Sequence, residues 1–186
     1  MLAMITRDEA LRLLRENVRN DKLLKHMLAV EAIMRSIAKR INEDEELWGL
    51  VGLLHDVDYE RVGKDMSKHG LESAEMLRGL LPEEALNAIK AHNDLTGFKD
   101  DSPLALALKA ADQLSGLIVA TALVMPHKKL EEVKVKSLKR KMKQKDFARS
   151  VDRAKILLCE QLGLSLTEFL EIGLRALQEI HECLGL

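Results

Sequence analysis

A chain of 186 residues with 47% hydrophobic content is long enough for one well-buried domain and a small extension. Its 29 Lys and Arg against 30 Asp and Glu leave a formal net charge of -1, which argues against a whole-molecule electrostatic role on nucleic acid or an anionic membrane. Aromatic residues are only 3% of the total, which disfavours recognition of single-stranded nucleic acid by base stacking.

Taken in chain order, the pattern is helical throughout. Thr6 and Glu9 form a capping box before Leu11, Leu13 and Leu14. Asp21 is the expected cap of a second helix, where Leu24, Met27, Leu28, Ile33 and Ile37 recur at three-to-four spacing up to Ile41. A third helix is expected over residues 43–57, then a polar loop over 58–68 and a helix over 69–80. Pro82 suits the first turn of a helix ending near His92, and residues 93–101 read as loop. Ser102 and Pro103 open a long helix that runs through Asp112 to Met125, where Pro126 stops it. Two amphipathic helices over 147–162 and 165–184 close the chain, followed by Gly163 and Gly185. With no strand alternation and no internal repeat, the fold class is all-α.

Three segments are expected to make one unit. Residues 1–20 supply an N-terminal helix packed on the core, 21–125 the domain that carries the site, and 126–186 a basic segment with C-terminal helices. The apolar run 104–125 is interrupted by Lys109, Asp112 and Gln113, which argues against a membrane span. The start MLAMITRDEA lacks a cationic stretch followed by an apolar one, so no secretory signal is expected. Cys159 and Cys183 are too far apart for a paired motif and read as free thiols, so a reducing, cytoplasmic location is expected.

Chemistry concentrates at His55-Asp56, an adjacent imidazole and carboxylate that end the apolar run from Leu47 to Leu54. Burying two such groups is costly unless something compensates them, and a cation does so cheaply. Further ligand-competent residues recur at about one per helix: His26 beside the apolar stripe of Leu23 and Val30, His69, His92, and Asp112 between Leu108 and Leu114. A mid-helix aspartate among leucines and alanines is a poor choice unless it binds something. Singly, each histidine is more commonly a plain core or surface residue, and Asp112 has Lys109 one turn earlier as a partner. Their conjunction in order and spacing is what points to a metal, and mixed imidazole and carboxylate donors suit Mn, Fe, Co, Ni or Zn.

The pattern His26, His55-Asp56 and Asp112 on successive helices resembles the HD superfamily of metal-dependent phosphohydrolases, over about residues 20–125. The intervening His69 and His92 resemble its two-metal branch, and the strings HDVDYE and LKAADQLSG look like those of small prokaryotic predicted hydrolases of that superfamily. Asp58 and Tyr59 stand where the cyclic-di-GMP phosphodiesterase branch has Gly-Lys, so that substrate is not carried over.

The resemblance implies an HD-domain-like helical bundle with two divalent transition metals per chain. His26, His55, Asp56 and Asp112 would hold the first, and Asp56 would bridge to a second bound by His69 and His92. Two cations about 3.5–4 Å apart activate a shared water and neutralise a phosphoryl oxygen. The implied activity is therefore hydrolysis of a phosphomonoester or phosphodiester of a nucleotide or other small phosphorylated metabolite. The superfamily also includes mixed-valent di-iron oxygenases, and a non-catalytic metal- or nucleotide-binding module is the remaining alternative.

Around that set, Lys109 is a candidate catalytic contact to phosphate or a metal-bound water, with an ion pair as its plainer role. Asp58 is a candidate for proton transfer, with capping of the loop as its plainer role. Arg61, Lys64 and Lys68 in the 58–68 loop are candidate phosphate contacts. Residues 127–155 carry nine lysines among few acids, and read either as a solvated face or as a basic flap that attracts a polyanionic substrate. The amphipathic C-terminal helices would allow a homodimer.

Overall fold

The computed structural model describes residues 3–186, so the first two positions of the expected 1–20 segment lie outside it. Among the described residues every regular element is helical; the one β-bridge, Arg78 to Leu81, is isolated. The longer helices are α1 (Arg7–Asn17), α2 (Asp21–Ile41), α3 (Glu45–Leu54), α6 (Glu83–Ala91), α7 (Pro103–Leu123), α8 (Val135–Lys143) and α10 (Leu166–Glu179). Short helices α4 (Tyr59–Val62), α5 (Leu71–Met76), α9 (Arg153–Ile156) and α11 (His181–Leu184) complete the series.

A single apolar cluster runs from Ile5 to Leu184 and draws on nearly all of these helices. At its centre lies α7, which is long and apolar enough to cross a membrane but is mostly buried inside the bundle. Its apolar character is thus used against α2, α6 and the C-terminal helices. The close approach of α3 to α2 depends on Gly52, where a Cβ would stand 2.9 Å from the Val30 carbonyl oxygen. That approach brings the C-terminal end of α3 against the face of α2 that carries His26.

Several expected boundaries are corrected, each for a local reason. The cap of α2 is Asn20 rather than Asp21: its side-chain oxygen accepts from the N–H groups of Lys22 and Leu23. The 43–57 helix is shorter, with Asp44 as its cap and His55 at its C-terminus. The 58–68 loop contains α4, whose Glu60 accepts from the backbone N–H groups of Arg19 and Asn20. The 69–80 helix starts only at Leu71, because Gly70 adopts φ 93°, and it ends at Met76 ahead of Gly79 at φ 79°.

The C-terminal third departs furthest. Residues 147–152 are not helical, because the Arg153 guanidinium takes the carbonyls of Lys141, Gln144, Phe147, Ala148 and Val151. Only α9 and a 3-10 turn over Leu157–Leu162 form where one helix was expected. The 165–184 helix keeps its Ser165 cap but breaks at Ile180 into α10 and α11. Conversely, α8 lies where the sequence shows chiefly lysine; Val135, Leu138 and Met142 recur along one face and meet the core. Both cysteines are free, Cys159 buried with its thiol pushed up to about 11 by burial, and Cys183 exposed.

Candidate metal centre

Five elements deliver six side chains to one point. His26 comes from the first turns of α2, His55 and Asp56 from the C-terminal end of α3, His69 from the turn before α5, His92 from the end of α6, and Asp112 from mid-α7. His55, Asp56, His69 and His92 are buried, whereas His26 and Asp112 are partly exposed and mark the open side. All six metal ligands expected from sequence are brought together.

The distances describe a single continuous cluster. Asp112 Oδ1 lies 2.9 Å from His26 Nε2 and 3.7 Å from His55 Nε2. Asp56 Oδ1 lies 3.3 Å from His55 Nε2, 3.1 Å from His69 Nε2 and 3.2 Å from His92 Nε2. Its other oxygen, Oδ2, is 3.6 Å from His26 Nε2. Two overlapping sets, His26 with His55 and Asp112, and His55 with Asp56 and His92, have ligand atoms close enough to share an ion.

What the rings do with their other nitrogen decides their chemistry. Each of the four is anchored through Nδ1: His55 on the Gly52 carbonyl at 2.7 Å, His92 on the Ile89 carbonyl at 2.5 Å, His69 on Asp58 at 2.7 Å, and His26 on the Ser115 hydroxyl at 3.3 Å. The Ser115 hydroxyl donates to the Asp112 carbonyl at 2.8 Å, so its oxygen is free to accept from His26. An Nδ1–H donated in this way leaves the Nε2 lone pair facing inward, the arrangement typical of a metal-bound imidazole.

That inward set is ill-suited to stand without a cation. His55 Nε2 is fully buried and makes no hydrogen bond of normal geometry, although two carboxylate oxygens stand 3.3 and 3.7 Å away. The Nε2 atoms of His69 and His92 face each other at 3.1 Å, lone pair against lone pair unless a proton or metal intervenes. Four imidazoles and two carboxylates therefore fit a divalent metal on donor chemistry, tautomer and an orphaned nitrogen together.

In the metal-free protein the carboxylates favour a proton on two of these imidazoles, His55 and His69. Burial would depress the His55 imidazolium, but the carboxylates of Asp56 and Asp112 outweigh it and raise it to about 9. Burial likewise opposes the charge on His69, and Asp56 with Asp58 raises it to about 10. For Asp56 and Asp112 burial works against ionisation, yet the surrounding imidazoles win and hold both well below the usual carboxylate range.

The sign of the pH effect follows. The stability from the raised imidazoles is fully present below their unfolded value, about 6.5, and is lost as pH rises through about 9 to 10 in metal-free protein. Metal must displace those protons, so affinity is expected to rise with pH across that window. Calorimetric titration in buffers of different ionisation enthalpy should detect proton release on binding near pH 7.5. Binding without proton release would show that the imidazoles are neutral beforehand.

Other sequence-derived roles are revised. Asp58 is fully buried, and its oxygens are taken by His69 Nδ1 and by the backbone N–H groups of Gly70 and Ser73, each at 2.7–2.8 Å. These contacts orient His69 and cap the start of α5, the plainer of the two roles expected for it. Burial opposes its charge, but His69 and those N–H groups keep it below the usual range.

Lys109 does not meet Asp112. Its ammonium donates to the Asp100 carbonyl at 2.9 Å and lies 3.7 Å from Asp101, which ties it to the loop before α7. Arg61 pairs with Glu72 and Lys68 with Asp65, both exposed, while Lys64 is exposed in the same segment.

The sequence reading missed Ser115, Gln113 and Asn93. The Asn93 amide donates to the carbonyls of Met66 and His69, tying the His69 turn to the end of α6. Its place directly after His92 was the available signal. A hollow of about 460 Å³ lined by Lys129, Leu130, Glu131, Gln178, His181 and Leu186 shares no residue with the cluster, so donor chemistry rather than concavity locates the site.

The fold and the cluster together define a helical domain built around a histidine and aspartate site for divalent metal. The sequence model of the HD domain matches residues 23–117, just over half of the chain, and the protein belongs to the HD domain family. No curated protein and no solved structure gives a significant match.

Proposed function

We propose that the protein is a metal-dependent phosphohydrolase that binds two divalent transition metals and cleaves a phosphoester of a nucleotide or another small phosphorylated metabolite. The observation that carries this reading is the common anchoring of four histidines through Nδ1, which commits four Nε2 atoms and two carboxylates to one point. His26, His55, Asp56 and Asp112 would hold one metal, and Asp56, His69 and His92 the other. Asp56 suits the shared position because its two oxygens face different histidines.

Bound there, such a pair would lower the pKa of water to supply a nucleophile at neutral pH and would neutralise charge on the phosphoryl group. The chain's own part is to fix the donors and exclude solvent from the inner wall, where His55 is fully buried. The six side chains carry a charge of -2 when the imidazoles are neutral. Two dications would therefore leave the site net positive and attractive to a phosphate dianion. Arg61 and Lys68 would reach a phosphate only by exchanging their partners Glu72 and Asp65.

The test is metal content by elemental analysis on protein purified without chelator or nickel resin, joined to an assay on p-nitrophenyl phosphate and its bis-ester with added manganese. About two metals per chain with turnover of either ester is the expected result. Two irons without ester turnover, with oxygen uptake on an organic substrate, would replace the hydrolase by an oxygenase. Metal without any turnover would make the domain a binding module.

A further inference from the structure

The match to the HD family ends at residue 117, yet two ligands of the cluster are held from a turn well beyond it. The Asp152 backbone N–H donates to Gln113 Oε1 at 2.8 Å. A backbone N–H can only donate, so this contact fixes which end of the Gln113 amide is oxygen. Nε2 is thereby directed at Asp112 Oδ2, 3.2 Å away. That is the oxygen turned from the imidazoles, since Oδ1 is the one 2.9 Å from His26.

The same turn reaches His92. Lys155 Nζ lies 2.9 Å from Asp94 Oδ2 and 3.4 Å from the His92 carbonyl oxygen. A cation at the carbonyl end of α6 is favourable for the helix and joins that end to the 3-10 turn Asp94–Thr96. Asp152 accepts from the N–H groups of Ala154 and Lys155, so both handles belong to one capped turn. Behind it, the Arg153 guanidinium fixes the turn to the carbonyls of Ala148 and Val151. Val151 is seated on α7 so closely that a Cβ on Gly116 would meet its Cγ2 at 3.3 Å.

We infer that residues 151–155 clamp the metal centre, with Gln113 positioning Asp112 and Lys155 positioning His92. This rests on the reading of the cluster as a metal site. Without Gln113, the Asp112 carboxylate keeps its place on α7 but loses the bond that sets its rotation. Without Lys155, the end of α6 loses its tie to the turn that follows. Each ligand then needs ordering when metal binds, and affinity falls. Loss of such an outer partner typically costs about 10- to 100-fold in metal affinity.

The experiment is a titration of metal-free protein with Co²⁺, followed by the visible absorption of bound cobalt. Wild type, Gln113→Leu, Lys155→Met and Lys155→Arg are compared, with helicity and thermal melting recorded for each. Gln113→Leu and Lys155→Met are expected to bind cobalt about 10- to 100-fold more weakly while remaining folded. Gln113→Leu should also alter the band shape, and Lys155→Arg should bind nearly as wild type does. Unchanged affinity in either folded variant overturns the clamp. Lys155→Met alters a partly exposed side chain and keeps the test open should Gln113→Leu fail to fold. If wild type itself takes up no cobalt, the metal reading falls and the clamp with it, a result distinct from equal binding by all four proteins.

Discussion

Asp56→Ala is expected to leave the protein without bound metal and without phosphoester turnover. Its Oδ1 lies within 3.3 Å of three imidazole nitrogens, and its Oδ2 faces a fourth. His55 is the member common to both overlapping ligand sets, but it is the Asp56 carboxylate that lies within 3.6 Å of all four imidazole nitrogens. Truncation leaves four imidazoles and a single carboxylate, so the charge that offsets the cations is halved and the proposed shared ligand is gone. The loss should exceed the roughly 100-fold that removal of an outer partner causes. His92→Ala, by contrast, removes one nitrogen from the deeper side and should deplete chiefly the second metal. Elemental analysis of the two variants beside wild type separates the cases. Equal metal content in wild type and Asp56→Ala would show that Asp56 does not bridge. A parallel effect is expected in metal-free protein: Asp56 is a principal reason that His55 and His69 hold their protons, so its loss should lower both imidazoles from about 9 and about 10. Histidine NMR signals followed through a pH titration would read that shift directly.

The cluster of six side chains was legible in the sequence because metal binding demands rare residue types at helix-scale intervals, and His55-Asp56 at the end of an apolar run is costly otherwise. The helices were legible from their apolar periodicity where packing dominates, as in α2 and α7. What stayed hidden was set by polar side-chain contacts that apolar periodicity does not report. The apolar pattern over 147–162 does not report that the adjacent Arg153 guanidinium takes the carbonyls of Phe147, Ala148 and Val151 and stops a helix. Nor does the 69–80 stretch reveal that Asp58 takes the N–H groups of Gly70 and Ser73 and sets the start of α5. The basic segment misled in a different way. Its charge drew attention from Val135, Leu138 and Met142, whose spacing places one face of α8 on the core. The same limit applies to Gln113 and Lys155, which look like ordinary surface residues until the turn at 151–155 is brought against α7 and the end of α6.

Asp58 offers the sharpest separation of orientation from proton transfer, because its two oxygens do different work. Oδ2 accepts from Gly70 and Ser73, and Oδ1 accepts from His69 Nδ1. Asp58→Ala removes all three bonds from a fully buried position, and is expected to destabilise the fold by about 3–5 kcal/mol. For a chain of this size that lowers Tm by roughly 10 °C. Asp58→Asn is the more informative change. The amide oxygen can still accept from Gly70 and Ser73, so α5 keeps its cap and most of the stability. The amide NH₂ must then face His69 Nδ1, which can remain bonded only by becoming an acceptor. The ring proton moves to Nε2, the nitrogen that points into the cluster, and His69 can no longer offer a lone pair there. Asp58→Asn is therefore expected to be nearly as stable as wild type while binding metal about 10- to 100-fold more weakly. Thermal melting and a metal titration of the same sample test both halves. A proton-transfer role for Asp58 would give the opposite pattern, with metal content intact and turnover lost. Wild-type affinity together with the Nε2–H tautomer in the nitrogen NMR spectrum would show instead that His69 contributes no ligand.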